Sequence, residues 1–229
     1  MIVHRNIPAQ HIKLAIFDLD GTLIDSRRDL AESVNAMLRH LHRPELPMDV
    51  IASYVGDGAP MLVRRALGDP DEEHFVAEAL QFFLTYYREH KLDHTVVYAG
   101  VPESLREVAA GLNGIPRRLA VLSNKPVNPS RQIVQALGLT EFFAQIYGGN
   151  SFHTKKPDPL GVSTLLQETG AAPGETVLIG DSDVDVITAR NAGIYSIGVT
   201  YGFAPHTLEA AVPDVLVDHP QQWAEVLRG

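Results

Sequence analysis

The feature that most constrains this chain is a short apolar run that ends in two aspartates and a glycine. Residues 14–17 are all apolar, which is typical of a strand buried inside a sheet. Asp18 and Asp20 follow, and Gly21 comes next. Residues i and i+2 of a strand point the same way, so both carboxylates enter one crevice at its end. Two anions so close repel each other, and a bound Mg²⁺, which prefers carboxylate oxygens, removes this difficulty. The alternative is that this segment has no catalytic function and is an ordinary Asp-Gly turn after a strand.

The rest of the chain predicts an α/β fold, a doubly wound (Rossmann-like) parallel sheet core with a small inserted α-helical cap domain. Core strands are predicted at 14–17, 118–122, 146–147, 176–179, 196–199 and 215–217, separated by helical patterns, whereas residues 25–94 show only helical patterns. The core is therefore assigned to 1–24 and 97–229, and the cap to 25–96. Residues 1–13 are interpreted as an extension before the first strand. Ligands of such sheets bind beyond the carboxyl ends of the strands.

Composition narrows the possible partners and surroundings. The formal net charge of -9 and the lack of a long basic run argue against nucleic acid as the main partner. The chain has no cysteine, which excludes disulfides and thiolate metal sites and fits a cytoplasmic location. No segment approaches the roughly 18 apolar residues of a membrane helix. The oligomeric state is not predicted.

Four segments together indicate a family. The stretch from Asp18 to Ser26, D-L-D-G-T-L-I-D-S, resembles the opening motif of the haloacid dehalogenase superfamily of phosphatases. The later segments that match are S-N-K-P at 123–126, K-K-P-D-P at 155–159 and G-D-S-D at 180–183. The pattern is most similar to the phosphoglycolate phosphatase branch, whose helical cap is inserted after the first motif.

The resemblance implies a role for each matching residue. Asp18 matches the nucleophile that forms an aspartyl-phosphate, and Asp20 matches the general acid/base. Mg²⁺ is expected to be held by Asp18, Asp181 and the backbone carbonyl of Asp20. Ser123 matches the hydroxyl that binds the phosphoryl group, and Lys156 matches the cation that offsets the negative charge of nucleophile and phosphate. Lys156 is preferred to its neighbour in the sequence, which is expected to face solvent.

Several neighbouring residues are candidates for supporting roles. Asn124 is expected to orient the substrate. Gly21 is expected to contact the substrate and to let the loop after the nucleophile approach the phosphate closely. Asp185 is expected to act towards Lys156 or a metal-bound water. Asp183 is interpreted as a helix N-cap rather than a ligand.

The cap suggests how a substrate is recognised. Gly56 and Gly58 predict a tight turn whose N–H groups approach a small anion. Arg64 or Arg65 is expected to reach a carboxylate of the substrate through a bidentate contact, unless both simply solvate the outer face of the cap. The expected substrate, a small phosphorylated metabolite, is 2-phosphoglycolate.

Alternative functions remain open at this point. The same superfamily contains phosphatases and phosphomutases that act on sugar phosphates, pyrophosphate or nucleotides. Haloacid dehalogenases lack a second aspartate, so Asp20 and Asp181 argue for phosphorus chemistry, and mutases usually carry Glu-Asp where this chain has Gly180-Asp181. A non-catalytic binding protein on this fold is expected to have lost at least one of the motif residues, and all are retained.

Overall fold

The structure is a computed structural model that describes residues 1–112 and 114–229. Its core is a seven-stranded sheet, whose strands are β1 Ile2–Val3, β2 Leu14–Phe17, β5 Arg118–Leu122, β6 Gln145–Tyr147, β7 Thr176–Gly180, β8 Tyr195–Val199 and β9 Val215–Val217. The strands lie in the order β1-β9-β8-β7-β2-β5-β6, and all are parallel except the edge strand β1. The predicted strands agree with these bounds to within one residue.

The register of the three central strands determines where the motif residues lie. Strand β2 runs between β5 and β7, and Phe17 stands opposite Val121 on one side and Ile179 on the other. All four residues of β2 are fully buried, as its continuous apolar run predicts. The residues that follow these strands therefore emerge at one level, along one edge of the sheet.

Helices cover both faces of the sheet. Their bounds are α5 Val101–Ala110, α6 Val127–Ala136, α7 Leu160–Thr169, α8 Asp183–Ala192 and α9 Pro220–Arg228. Helix α9 was not predicted from the sequence, although it buries Trp223 against Phe17 with ring centroids 5.2 Å apart. The N-terminal extension is also more structured than expected, because β1 pairs antiparallel with β9.

Residues 25–96, called here the cap segment, fold into helices with an apolar cluster of their own. The helices are α1 Arg27–His40, α2 Met48–Ser53, α3 Ala59–Ala66 and α4 Glu73–His90. Phe203 of the core joins this cluster. The short strands β3 (Ile24–Asp25) and β4 (Val96–Val97) pair where the chain leaves and re-enters the core. The buried carboxylate of Asp29 accepts hydrogen bonds from the N–H groups of His94 and Thr95, which fixes this junction. The division into two domains stays a prediction.

No helix in the described ranges, 1–112 and 114–229, combines the length and the apolar character needed to cross a membrane.

A buried arginine joins three parts of the core far from the strand ends. The Arg117 guanidinium donates to the carbonyl oxygens of Ala9, Ile12 and Leu227 at 2.6–3.0 Å. These carbonyls belong to the N-terminal segment and to α9. Burial lowers the pKa of Arg117, and no carboxylate pairs with it among the described residues. The guanidinium therefore serves as a cluster of donors for carbonyls that would otherwise be buried unpaired.

We expect Arg117→Leu to lower the free energy of unfolding by about 3 kcal/mol, because several buried carbonyls lose their donor at once. Urea unfolding followed by circular dichroism measures this. Arg118→Leu is the matched control, since Arg118 is exposed and should change stability by less than about 0.5 kcal/mol. Equal losses in the two variants would contradict the argument.

Candidate active site

Two buried carboxylates and one lysine form the centre of the site. Asp18 follows β2, and the ammonium of Lys156 lies 2.9 Å from its Oδ1 atom. The same ammonium donates to Asp185 Oδ1 at 2.6 Å. Asp185 is itself held by the Ser182 hydroxyl, which donates to Oδ2 at 2.8 Å. Lys156 is thus fixed between two carboxylates, one of which faces the cleft while the other anchors the lysine from behind.

Three carboxylates lie close enough to share a cation. Asp18, Asp181 and Asp185 each offer an oxygen atom, and these atoms all lie within 4.8 Å of one another. Burial and the nearby carboxylates raise the pKa of Asp181 to about 8. Burial also raises the pKa of Asp18, although the Lys156 ammonium partly offsets this. Concentrated, buried oxygen donors of this kind suit a divalent cation. Both oxygens of Asp185 already accept hydrogen bonds, one from Lys156 and one from Ser182. Asp18 and Asp181 are therefore the carboxylates that remain for the cation.

Asp181 is packed between glycines, and this changes the interpretation of Gly21. A Cβ atom on Gly21, whose φ is 82°, would lie 2.2 Å from Asp181 Oδ2, and one on Gly202 would lie 2.2 Å from Asp181 Cβ. The Gly21 N–H already donates to the carbonyl of Ile24. Gly21 was expected to contact the substrate. In the structure its N–H group is not free to do so, and its missing side chain makes room for Asp181.

Asp20 lies in a different environment from Asp18. The Ser26 hydroxyl donates to Asp20 Oδ1, and the ammonium of Lys125 lies 3.0 and 2.9 Å from its two oxygens. Ser26 directly precedes α1, but its hydroxyl donates to Asp20 and caps no N–H group of that helix. Sequence reasoning did not single out Lys125, although it directly follows Ser123 and Asn124 at the end of a strand. That position at a strand end is the signal that could have found it.

Ser123 and Asn124 follow β5 and are both buried. Ser123 Oγ accepts a hydrogen bond from the Lys125 N–H. The Asn124 amide donates to the carbonyls of Gly56 and Lys156, at 2.9 and 3.0 Å. Its Oδ1 atom is buried and has no hydrogen-bond partner within the described residues. Asn124 therefore links the core to the cap segment.

The arginines of the cap segment do not reach the cleft. The Arg64 guanidinium contacts Glu73 and donates to the carbonyl of Pro70, and the Arg65 guanidinium contacts Asp57 and donates to the carbonyl of Tyr54. The expectation that Arg64 binds substrate is therefore corrected: acidic partners within the cap segment already hold both arginines, and neither lines the cleft.

Two smaller expectations also change. Lys155 is exposed, as predicted, but its ammonium also donates to the backbone carbonyl of Asp57. Asp183 is not an N-cap, because α8 begins at Asp183 and Ser182 occupies the cap position.

A cleft lies between the core and the cap segment. Its core wall is polar, with Asp18, Asp20, Asp181, Ser123, Asn124 and Lys125. Its cap wall is largely apolar, with Val55, Leu62, Phe83 and Tyr87 among others. The carboxylates of Asp18 and Asp20 and the buried ammonium of Lys125 thus line one cleft. This arrangement suits the transfer of a group with concentrated negative charge.

Fold and site together are those of an α/β protein that places an aspartate and a buried lysine beyond the central strands of a parallel sheet. The family model for haloacid dehalogenase-like hydrolases matches residues 15–199. The chain belongs to that family.

Named relatives extend this comparison. A phosphoglycolate phosphatase of Chromobacterium violaceum is 41% identical over 201 residues, which cover 85% of this chain and 88% of the relative. A phosphoglycolate phosphatase of Vibrio vulnificus is 36% identical and covers 95% and 97% of the two chains. The crystal structure described as that of a predicted phosphoglycolate phosphatase from Haemophilus somnus aligns with a TM-score of 0.87 at 30% identity, over 95% of this chain and 99% of that one.

We expect Asp181→Asn to stabilise the metal-free protein increasingly between pH 5 and pH 8. A carboxyl whose pKa is raised by folding contributes stability at low pH that is lost as the pH rises from its ordinary value of 3.8 towards about 8. The neutral side-chain amide of the Asp181→Asn variant does not ionise, so its stability does not fall in this pH range for that reason. The melting temperature at pH 8 should rise by about 2 to 4 °C for each kcal/mol relieved.

Mg²⁺ should raise the melting temperature of the wild-type protein but not of Asp181→Asn, since a ligand that binds only the native state stabilises it. Asp183→Asn, which changes a less buried neighbour, should keep the wild-type response to Mg²⁺ and should not be stabilised in the metal-free form. A lower melting temperature for metal-free Asp181→Asn at pH 8 would refute the assignment.

Proposed function

We propose that this chain is a Mg²⁺-dependent phosphomonoester hydrolase that acts on 2-phosphoglycolate through an aspartyl-phosphate at Asp18. The observation that carries the proposal is that Asp18 and Asp181 follow the neighbouring strands β2 and β7, and that the buried Lys156 lies 2.9 Å from Asp18. The substrate follows from the names of the relatives and from a cleft that suits a small anion.

The donor set fits a hard divalent cation. Asp18, Asp181 and the backbone carbonyl of Asp20 are the groups that would hold Mg²⁺, which would neutralise negative charge on nucleophile and phosphate. Asp185 is assigned to Lys156 instead.

Each residue then has a defined task. Asp18 attacks phosphorus in line, forming an O–P bond as the bond to the ester oxygen breaks. Asp20 protonates that oxygen, then accepts a proton from the water that hydrolyses the aspartyl-phosphate. Lys156 and Ser123 bind phosphoryl oxygens. Asn124 Oδ1, buried without a partner, is available to orient the substrate.

Residues 25–96 are proposed to form a separate cap domain over a core of 1–24 and 97–229. The cap would exclude bulk water during the reaction. A cytoplasmic location is proposed with this function, since the substrate is a small phosphorylated metabolite.

The test of function is a panel of substrates assayed with Mg²⁺ and after chelation. We expect the highest kcat/KM for 2-phosphoglycolate, ahead of a sugar phosphate, pyrophosphate and a nucleoside monophosphate, and no activity once the metal is removed. If the kcat/KM of any of the other three substrates exceeds that of 2-phosphoglycolate tenfold, the substrate assignment is wrong. If activity is undiminished after chelation, the metal requirement is wrong.

The roles of the two aspartates are separable by trapping. Asp18→Asn should lose turnover by a factor of about 10⁴ or more, because an amide is isosteric but not nucleophilic. It should yield no phosphoenzyme from an aryl phosphate. Asp20→Asn should instead accumulate one, because a good leaving group needs no acid while hydrolysis of the intermediate still needs a base. Acid quenching and mass spectrometry measure the adduct, and a phosphorylated Asp18→Asn protein would refute the nucleophile.

A further inference from the structure

One cation lines the cleft. Among the cleft-lining residues that the structure describes, Lys125 is the only one with a positively charged side chain. The same lining includes three carboxylates, those of Asp18, Asp20 and Asp181. A second anionic group on a substrate therefore meets repulsion over much of the core wall and attraction at Lys125.

Lys125 is charged and has a donor to spare. Its side chain is about 5% exposed, and its ammonium lies 3.0 and 2.9 Å from the oxygens of Asp20. Burial lowers the pKa of Lys125, but the Asp20 carboxylate outweighs this, so the pKa is raised overall. An ammonium has three N–H donors, and the two oxygens of Asp20 occupy two of them.

Tyr87 faces Lys125 from the cap segment. The ammonium lies 4.7 Å from the centroid of the Tyr87 ring. The Tyr87 hydroxyl is buried, and it has no hydrogen-bond partner within the described residues. Burial raises the pKa of this hydroxyl to about 12, so it keeps its proton at neutral pH. A buried donor without a partner is costly, and it indicates a position that a ligand atom fills.

We propose that Lys125 of the core and Tyr87 of the cap segment together bind the carboxylate of the substrate, the end that is not transferred. This inference rests on the proposed function and deepens it. In 2-phosphoglycolate a single methylene separates the ester oxygen from the carboxylate. The ester oxygen must approach Asp20, which protonates it, and Lys125 lies within 3.0 Å of Asp20. A carboxylate one methylene away from that oxygen therefore lies within reach of the ammonium.

The pair replaces the contact that Arg64 was expected to make. The carboxylate would gain a charge-assisted hydrogen bond from a buried lysine and a second one from a phenol. A substrate without the carboxylate would leave both donors facing an apolar cap wall. The site rejects such substrates because its buried donors are then unpaired.

The experiment compares 2-phosphoglycolate with ethyl phosphate, in which a methyl group replaces the carboxylate. Lys125 also contacts Asp20, so the measured quantity is the ratio of the two kcat/KM values, which cancels effects common to both substrates. Lys125→Met should lower this ratio by about 10- to 100-fold and Tyr87→Phe by about 3- to 10-fold. Lys125→Arg keeps the positive charge, so its ratio should lie between those of Lys125→Met and the wild type. The controls Lys91→Met and Tyr86→Phe remove the same groups from outside the cleft lining and should leave the ratio unchanged.

Binding of unreactive analogues gives a second readout that needs no turnover. By calorimetry, wild-type protein with Mg²⁺ should bind 3-phosphonopropionate more tightly than propylphosphonate, and Lys125→Met should lose this preference. Circular dichroism confirms that each variant is folded.

The outcomes separate the two claims. If the wild-type protein hydrolyses 2-phosphoglycolate no better than ethyl phosphate, the substrate assignment fails and the inference fails with it. If the wild-type preference is present and Lys125→Met keeps it, the inference alone is overturned.

Discussion

The buried charges at the strand ends are the constraint on which the rest of this structure depends. Four carboxylates, those of Asp18, Asp20, Asp181 and Asp185, lie with two ammonium groups, those of Lys125 and Lys156, in a space that is largely closed to water. Unpaired buried charge is expensive. Each lysine satisfies part of this charge, and the remaining excess of two negative charges matches a divalent cation. Without one, the raised pKa of Asp181 means that the site takes up a proton instead.

The charged side chains lie beyond the ends of the strands and are therefore separated from the apolar core of the sheet. Residues 14–17 and 177–179 are apolar and almost completely buried, and the carboxylates of Asp18 and Asp181 come only after these strands end. Close approach then needs missing side chains. Gly21 and Gly202 both lie where a Cβ atom would overlap Asp181, so the backbone wraps the carboxylate directly. The rigidity of the site thus comes from backbone packing and not from long side chains.

Much of the fold was readable from the sequence because it depends on local patterns. Continuous apolar runs predicted β2 and β5 residue for residue, and the rule that ligands gather beyond parallel strands grouped Asp18, Ser123 and Asp181. The two-residue strands β1, β3 and β4 are too short to show a period, and they form only because distant segments meet. Helix α9 follows the last predicted strand and was overlooked, although the Trp223 side chain is a clear anchor. Side-chain partners were the least predictable, since the contact of Arg64 with Glu73 depends on how two helices pack.

The contacts between the core and the cap segment explain how recognition and closure are coupled. Asn124 donates to the Gly56 carbonyl, Lys155 donates to the Asp57 carbonyl, and Phe203 packs among the apolar residues of the cap segment. Each such hydrogen bond contributes only about 1 kcal/mol, so these links close the cleft without locking it. A ligand shifts that balance only through contacts that exist in the closed form alone. Tyr87 supplies such a contact, because its ring faces the core lysine only when the cap segment lies over the strand ends. In the proposed binding mode, the carboxylate of the substrate is therefore also the group best placed to hold the cleft shut over it.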